Sequence, residues 1–474
     1  MWLSNHKNSS QALINNGENQ KTSRANAAEQ QYKKMTQTPV TRLVLTLSVP
    51  TIISMLVSNI YNIADTYFVS SISTSASGAV GIVFALMAII QAFGFMIGHG
   101  SGSLVSLSLG GKDIERAKKL ASSAFFAALV FSGTIAVLGE IFITPLMYLL
   151  GSTETILPYA TQYARYILAS APLMCVSFVM NNILRYEGKA AFAMIGITSG
   201  GLLNVALDPL FIFTLKMGVA GAGLATAISQ VVGSGLLLSM FLTGKTQSKF
   251  SPKYISKDIR DYIIICRTGT PSLLRQGLNS IAAMLLNNAS AVYGDAAVAA
   301  MSIVGRVSFV VFAFGIGIGQ GLQPVSSFNY GARLYSRVRK AYIFTLCYGT
   351  AVCSALSAVV IVAADFLIRK FRDDPDVISI GTPALRAQCI AMFVVMLLQC
   401  TNMLYQSIGK SGIATILASL RSGICFIPMI VLLPHFFGVK GIIWSQPTAD
   451  FIAAAISLPF ALHFITSLPP DDAK

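Results

Sequence analysis

Residues 94–120 read GFMIGHGSGSLVSLSLGGKDIERAKKL, and residues 315–341 read GIGIGQGLQPVSSFNYGARLYSRVRKA. Laid over one another without a gap, at an offset of 221 from 94 to 315, they pair Gly94 with Gly315, Ile97 with Ile318, Gly98 with Gly319 and Gly100 with Gly321. Further along, Ser106 meets Ser327, Gly110 meets Gly331, Arg116 meets Arg337 and Lys119 meets Lys340. The same offset pairs Pro50 with Pro271, Arg165 with Arg386, and Asn181, Gly188 and Lys189 with Asn402, Gly409 and Lys410. One residue shorter, it pairs Gly218, Val219 and Gly221 with Gly438, Val439 and Gly441. Apolar sequences match by chance more readily than mixed ones, but a single offset recurring across the chain marks two copies of one unit.

Each copy is built for a membrane. Of 474 residues, 54% are hydrophobic and 11% charged, against about 25% charged in soluble domains, and the mean hydropathy is +0.67. The apolar residues fall into runs long enough to cross about 30 Å of hydrocarbon as helix. Stretches such as Ala79 to Ile97 stay apolar on every face, unlike the alternating strands of a membrane barrel. The expected fold is therefore an all-α polytopic membrane protein with twelve transmembrane helices in two pseudo-symmetric six-helix lobes. The spans are placed at 44–70, 79–107, 118–144, 163–184, 190–215, 219–243, 265–291, 298–327, 338–363, 384–408, 413–435 and 439–465. A disordered cytoplasmic tail is expected over 1–41, the N-lobe over 42–244, a basic cytoplasmic linker over 245–262, the C-lobe over 263–466 and a short cytoplasmic tail over 467–474. Six spans per copy put both copies in the same orientation, related by an axis along the membrane normal. A cleft between two such lobes can open to one side and then to the other by rocking, as alternating access requires.

The 34 Lys and Arg, which give a net charge of +15, form no single patch: 24 fall on connections on one side of the membrane, 7 on the other, and Arg275, Arg306 and Arg421 in or near spans. The segment Lys245 to Arg267 is rich in them, whereas Ser71–Ser77 and Gly294–Ala297 have none. This bias places both termini on the cytoplasmic side and argues against nucleic acid as a partner. Seven scattered cysteines and four histidines form no CxxC pair, HExxH, GxxxxGK[ST] or GxSxG motif, so neither an enzyme nor a metal or organic cofactor is expected.

Ionisable groups at the centre of a span cost about 2.5–3.5 kcal/mol on insertion scales, so each needs a reason. Only Asp65, Asp208 and Asp450 lie well inside spans. Under the repeat, Asp65 faces Leu286 and Asp208 faces Met429, so the carboxyl chemistry belongs to the first copy alone. Counted at 1.5 Å per residue, Asp65 and Asp208 lie at similar depth, with Thr226 level with them. Tyr61 and Asn62 share a helical face with Asp65, and Asn204 with Asp208. Amides and hydroxyls in membranes often only join helices, a role Tyr61, Asn62, Asn204 and Thr226 fit equally well. Two level carboxyls fit it less well, because Asn would make the same bonds without an ionisation cost. Such a pair can load a proton, and its deprotonated oxygens suit Na+. The residues leave H+ and Na+ equally open. Pro50 and Pro209 each remove a backbone donor and weaken the helix locally.

Pro50, Asn59, Tyr61, Asn62, Asp65 and Val69, the Gly-rich ends of spans 2 and 8 leading to Gly110 and to Asn329–Gly331, then Asn204, Asp208, Pro209 and Gly218–Gly223 through Thr226 resemble the multidrug and toxic compound extrusion (MATE) family, in its prokaryotic branch with N-lobe carboxyls. The resemblance covers residues 40 to 465. It implies an antiporter of a bacterial inner membrane that exports bulky amphipathic or cationic compounds in exchange for H+ or Na+. By the same resemblance, Asp65, Asn204, Asp208 and Thr226 carry cation coupling, Na+ would take Asp65, Asp208 and Asn204, and Pro50 is a bending point. Where other members carry an acid in span 7, this chain reads Ser272, Leu273, Leu274, Arg275, Gln276, so the resemblance offers no cation site in the second lobe. The expected partners are small amphipathic molecules and the bilayer, with the protein a monomer. The alternative is a flippase or exporter of a lipid-linked or polyanionic substrate in the same superfamily. It would need several Arg in the cleft, and Arg275, Arg306 and Arg421 are the only bases read inside spans. A channel needs a continuous polar path, and this cluster ends within one lobe.

Overall fold

The structure is a computed structural model and describes residues 26–469 and Asp471. Among the described residues the regular structure is helical throughout. Residues 26–37 form helix α1. The first copy contains α2 (Val40–Ser70), α3 (Thr74–Gly110), α4 (Ile114–Ile141), the short α5 (Ile143–Leu149), α6 (Leu157–Tyr186), α7 (Ala190–Pro209) and α8 (Val219–Leu242). The second contains α9 (Ile259–Ala291), α10 (Asp295–Gly331), α11 (Tyr335–Phe371), α12 (Pro375–Ser407), α13 (Ser411–Ser419), α14 (Phe426–Phe437) and α15 (Val439–Ser467). Eleven helical segments are long and apolar enough to cross a membrane, with α13 and α14 counting as one. Helix α9 is 33 residues long, about 50 Å at 1.5 Å per residue. It is diluted by Arg260, Asp261, Arg267, Arg275, Gln276 and Asn279.

Pro209 removes the backbone donor that would meet the Val205 carbonyl, and the chain continues as a wider π turn over Leu210–Thr214, with Leu215 N donating to Leu210 O at 2.9 Å. Pro50, by contrast, sits within an uninterrupted α2. Large apolar side chains on the outer faces, such as Val362 at 85% and Val130 at 68% exposure, are those a hydrocarbon solvent accepts.

The copies meet where their sequences agree best. A side chain at Gly110 of α3 would collide with the Phe328 carbonyl of α10, and one at Gly331 of α10 would collide with the Leu107 carbonyl of α3. The repeat maps Gly110 onto Gly331 and Leu107 onto Phe328, so this reciprocal contact lies across the pseudo-two-fold axis. Gly100 against Ile265 of α9 and Gly321 against Ser48 of α2 repeat the device. Small residues allow helices to approach to backbone contact, which is how membrane helices gain packing energy. Ser103 donates to Ser407 O at 2.9 Å and Ser106 to Pro324 O at 3.5 Å, so polar bonds reinforce the same seal. All of these contacts lie toward the side that carries α1 and the linker.

The disordered tail expected over 1–41 is corrected for its second part. Residues 1–25 lie outside the described residues, but α1 is docked against both copies. Met35 is fully buried, Tyr32 packs on Phe328 at 5.7 Å, and the Lys112 ammonium covers Tyr32 at 4.8 Å. Gln31 donates to Glu187 O at 2.5 Å, while Asn329 donates to Met35 O at 3.2 Å and Arg337 to Thr38 O at 2.7 Å. A guanidinium at the C-terminal carbonyls of a helix is the favourable arrangement for the helix dipole. The linker is held too. Buried Glu187 accepts from Gln247 N and Ser248 N at 3.1 and 2.8 Å, Ser123 from Ser256 N at 2.8 Å, and Phe250 stacks on Phe125 at 4.4 Å.

Two outcomes follow from this packing. Gly110→Val and Gly331→Val are each expected to lower stability by about 1–3 kcal/mol through overpacking, whereas Gly133→Ala, which meets nothing within 4 Å, is expected to be neutral or stabilising. Thermal unfolding of the purified protein checks both. Met35→Asp places a charge where α1 is buried and is expected to raise tryptic cleavage at Lys33–Lys34 by about tenfold or more over the native protein.

Candidate functional site

Four helices bring polar side chains to one place inside the first copy. Asp65 comes from α2, Tyr163 from α6, Asn204 and Asp208 from α7, and Thr226 from the second turn of α8. Asn204 and Asp208 are one helical turn apart and point the same way. Asn204 Nδ2 lies 3.4 Å from Asp208 Oδ1 and 3.3 Å from Thr226 Oγ1, and so bridges α7 to α8. The Tyr163 hydroxyl donates to Asp65 Oδ2 at 3.3 Å and stands near Thr226 and both carboxylates. Asp208 is fully buried, Asn204 and Thr226 are 3% and 6% exposed, and Asp65 is half-buried.

The set is rich in acceptors and short of donors. Asp65 Oδ1, Asn204 Oδ1 and Asp208 Oδ2 are buried and receive no hydrogen bond among the described residues. A buried polar atom without a partner costs about 1–3 kcal/mol, and more when charged. Three such oxygens on neighbouring side chains suit a proton or a small hard cation, which would supply the missing positive charge. Among the described residues no third carboxylate, His or Cys joins them, so the donor set does not fit a transition metal. A cavity of about 80 Å³, lined in part by Tyr61, Asn204 and Thr226, lies beside the cluster.

The sequence-predicted residues divide. Asp65, Asn204, Asp208 and Thr226 gather in the cluster. Tyr61 forms the wall between the small cavity and a larger central one, whereas Asn62 faces the central cavity alone. Pro50 lies 15 residues before Asp65 on the same helix, about 22 Å away. Sequence reasoning missed Tyr163, which ties α6 into the cluster. The signal was available, because the repeat sets Tyr163 against Ala384, the same polar-for-apolar mismatch that singles out Asp65. Asp450 has a different task. Its carboxylate accepts from Arg421 at 2.9 Å, from Gln446 at 2.8 Å and from Gln388 at 3.3 Å, and so it neutralises a guanidinium.

The central cavity measures about 450 Å³ and is lined by both copies, with Phe95, Phe178, Met301, Phe312 and Met392 among its apolar walls. That is the size and character of a site for a drug-sized molecule. Arg185, read from sequence as just outside span 4, also lines it, whereas Arg306 is exposed and does not.

The MatE family model matches residues 50–210 and again 271–432; the two matches begin at the prolines that the repeat pairs. The multidrug export protein MepA of Staphylococcus haemolyticus is 27% identical over 443 residues, spanning 92% of this chain and 97% of that protein. The multidrug export protein MepA of Staphylococcus saprophyticus is 28% identical over 432 residues, spanning 90% and 94%. Among solved structures, a multidrug resistance MATE family transporter of the MOP superfamily in an outward-facing conformation superposes with a TM-score of 0.87 at 26% identity, over 92% of this chain and 98% of that one. A MOP superfamily transporter from Pyrococcus furiosus, whose reversed binding-pocket polarity suggests a different function, superposes at 0.86 and 26%, with the same coverage. With both halves matched and the fold shared along nearly its whole length, this chain belongs to the MatE family and is a multi-pass membrane transporter, not an enzyme.

Proposed function

We propose that the protein is a secondary antiporter of a bacterial inner membrane, exporting bulky amphipathic compounds in exchange for H+ or Na+ bound at Asp65, Asn204, Asp208 and Thr226. The observation that carries this reading is the trio of undonated buried oxygens on Asp65, Asn204 and Asp208, confined to one copy of a repeated fold. A cation entering there satisfies all three at once, and its departure leaves like charges facing one another, so occupancy changes the packing of α2 against α7 and α8. Tyr61 carries that change to the central cavity, whose lining it shares.

In this reading the glycine seal between α3 and α10 is the closed gate on the side of the termini, taken as cytoplasmic. Loading of the first lobe and rocking about the pseudo-two-fold axis expose the cavity to one side and then to the other. Pro50, where α2 lacks a backbone bond, is where that helix would bend. One chain encloses the whole cavity, so a monomer suffices. The relatives named as multidrug export proteins support a substrate range broader than one metabolite.

In proteoliposomes with separate proton and sodium gradients, Asp65→Asn and Asp208→Asn are each expected to reduce gradient-driven dye export to background while substrate still binds. Tyr163→Phe, which loses one hydrogen bond worth about 0.5–1.5 kcal/mol, is expected to lower export by about two- to tenfold. Normal gradient-driven export by both Asn variants would overturn the reading.

A further inference from the structure

The charge on the wall of the central cavity has not been used by the coupling site. Arg185 of α6, Arg275 of α9 and Arg421 in the π turn Leu420–Cys425 before α14 all line that cavity, and among the described residues no Asp or Glu does. Arg421 is paired with Asp450 behind it and lies over the Phe312 ring at 4.1 Å. The other two are not neutralised. Among the described residues no carboxylate comes within 4.0 Å of Arg185 or Arg275, and the two are near enough for their charges to act on one another.

Neutral groups hold both in place. Arg185, 4% exposed, donates to Gln320 of the second copy, to Asn182 Oδ1 at 2.5 Å and toward His99 Nε2 at 3.2 Å, where the His99 Nδ1 proton is taken up by Phe95 O at 3.1 Å. Arg275 donates to Asn402 Oδ1 at 3.2 Å. A guanidinium has five donor protons in a rigid fork, so each keeps donors in reserve. Holding two cations together inside a membrane bundle is costly unless an anion visits. If they served only to join helices, Gln would do so without that cost. The repeat sets Arg185 against Gln406, and Gln406 bonds Ser272 Oγ at 2.8 Å.

We propose that Arg185 and Arg275 form an oxyanion-binding subsite of the central cavity, so that the transported amphiphiles include molecules bearing a carboxylate, sulfonate or phosphate on an aromatic body. The guanidiniums take the anionic oxygens in bidentate fashion, and Phe95, Phe178, Phe312 and the methionines take the rings. The proposal rests on the reading of the cavity as the transport site, and it assigns the substrate's charge, which the coupling carboxylates leave open.

The test uses the full chain in lipid nanodiscs, with empty nanodiscs as the reference, and a matched pair of probes: a rhodamine free acid and its methyl ester. These share one xanthene ring and differ only in the carboxylate. The free acid is expected to bind about tenfold or more tightly than the ester, the ratio expected of a charge-assisted hydrogen-bonded pair. Arg185→Gln and Arg275→Gln should each remove most of that preference while changing ester affinity by no more than about twofold, and Arg185→Lys should restore part of it. Equal or tighter binding of the ester by the native protein overturns the proposal, and that comparison needs no variant to fold. Asp208→Asn separates the two readings. Export lost in that variant with acid preference retained supports both, export lost in that variant with no acid preference in the native protein overturns the subsite alone, and acid preference with export indifferent to Asp65 and Asp208 overturns the coupling site alone.

Discussion

A charge or an undonated oxygen inside a bundle surrounded by hydrocarbon cannot turn to water for relief, so every such group must find a partner within the protein or wait for one to arrive. Several groups in this chain are satisfied internally. Asp450 is met by Arg421, Gln388 and Gln446, and Glu187 by two backbone amides of the linker and by Lys189 at 3.4 Å. Two clusters stand out among the described residues as incompletely met: Asp65 Oδ1, Asn204 Oδ1 and Asp208 Oδ2, which receive no hydrogen bond, and the guanidiniums of Arg185 and Arg275, which are bonded to neutral groups but face no carboxylate within 4.0 Å. The first lies within one lobe and the second lines the space both lobes enclose. In the proposed function the first set takes the driving ion and the second the cargo, so the two supply opposite polarities at separate locations.

The repeat makes the division possible. Duplication supplies two equivalent surfaces, and wherever their glycines match, the surfaces pack to backbone contact across the pseudo-two-fold axis. Away from that seam the copies are free to diverge. Leu286 and Met429 stand where the first copy has its acids, so under the proposed coupling ion occupancy acts on one lobe only.

Much of this was legible in the sequence because hydropathy and the recurring offset are properties of whole segments. The doubled family match begins at Pro50 and Pro271, and the acids that stand out against the repeat are the ones found together. What escaped detection depends on single side chains. Tyr163 opens its span among other polar residues, Thr161 and Gln162, and nothing in its spacing shows that it reaches across to α2. Arg185 falls one residue past the end of the apolar run, where a long side chain ordinarily turns to water; here α6 continues to Tyr186 and the guanidinium turns inward. Helix α1 is amphipathic over barely three turns and owes its stability to docking, so its polar composition reads as tail.

Docked as it is, α1 touches the end of α6 through Gln31 and the end of α10 through Tyr32 and Met35. In the proposed rocking cycle it therefore acts as a clasp fastened to both jaws of a hinge. Parting the lobes on that face demands that one fastening let go, which adds a barrier that neither the ion nor the cargo touches directly. Turnover speed can in this way be set by a segment remote from all transported species, and it can drift through substitutions there without altering what the protein carries.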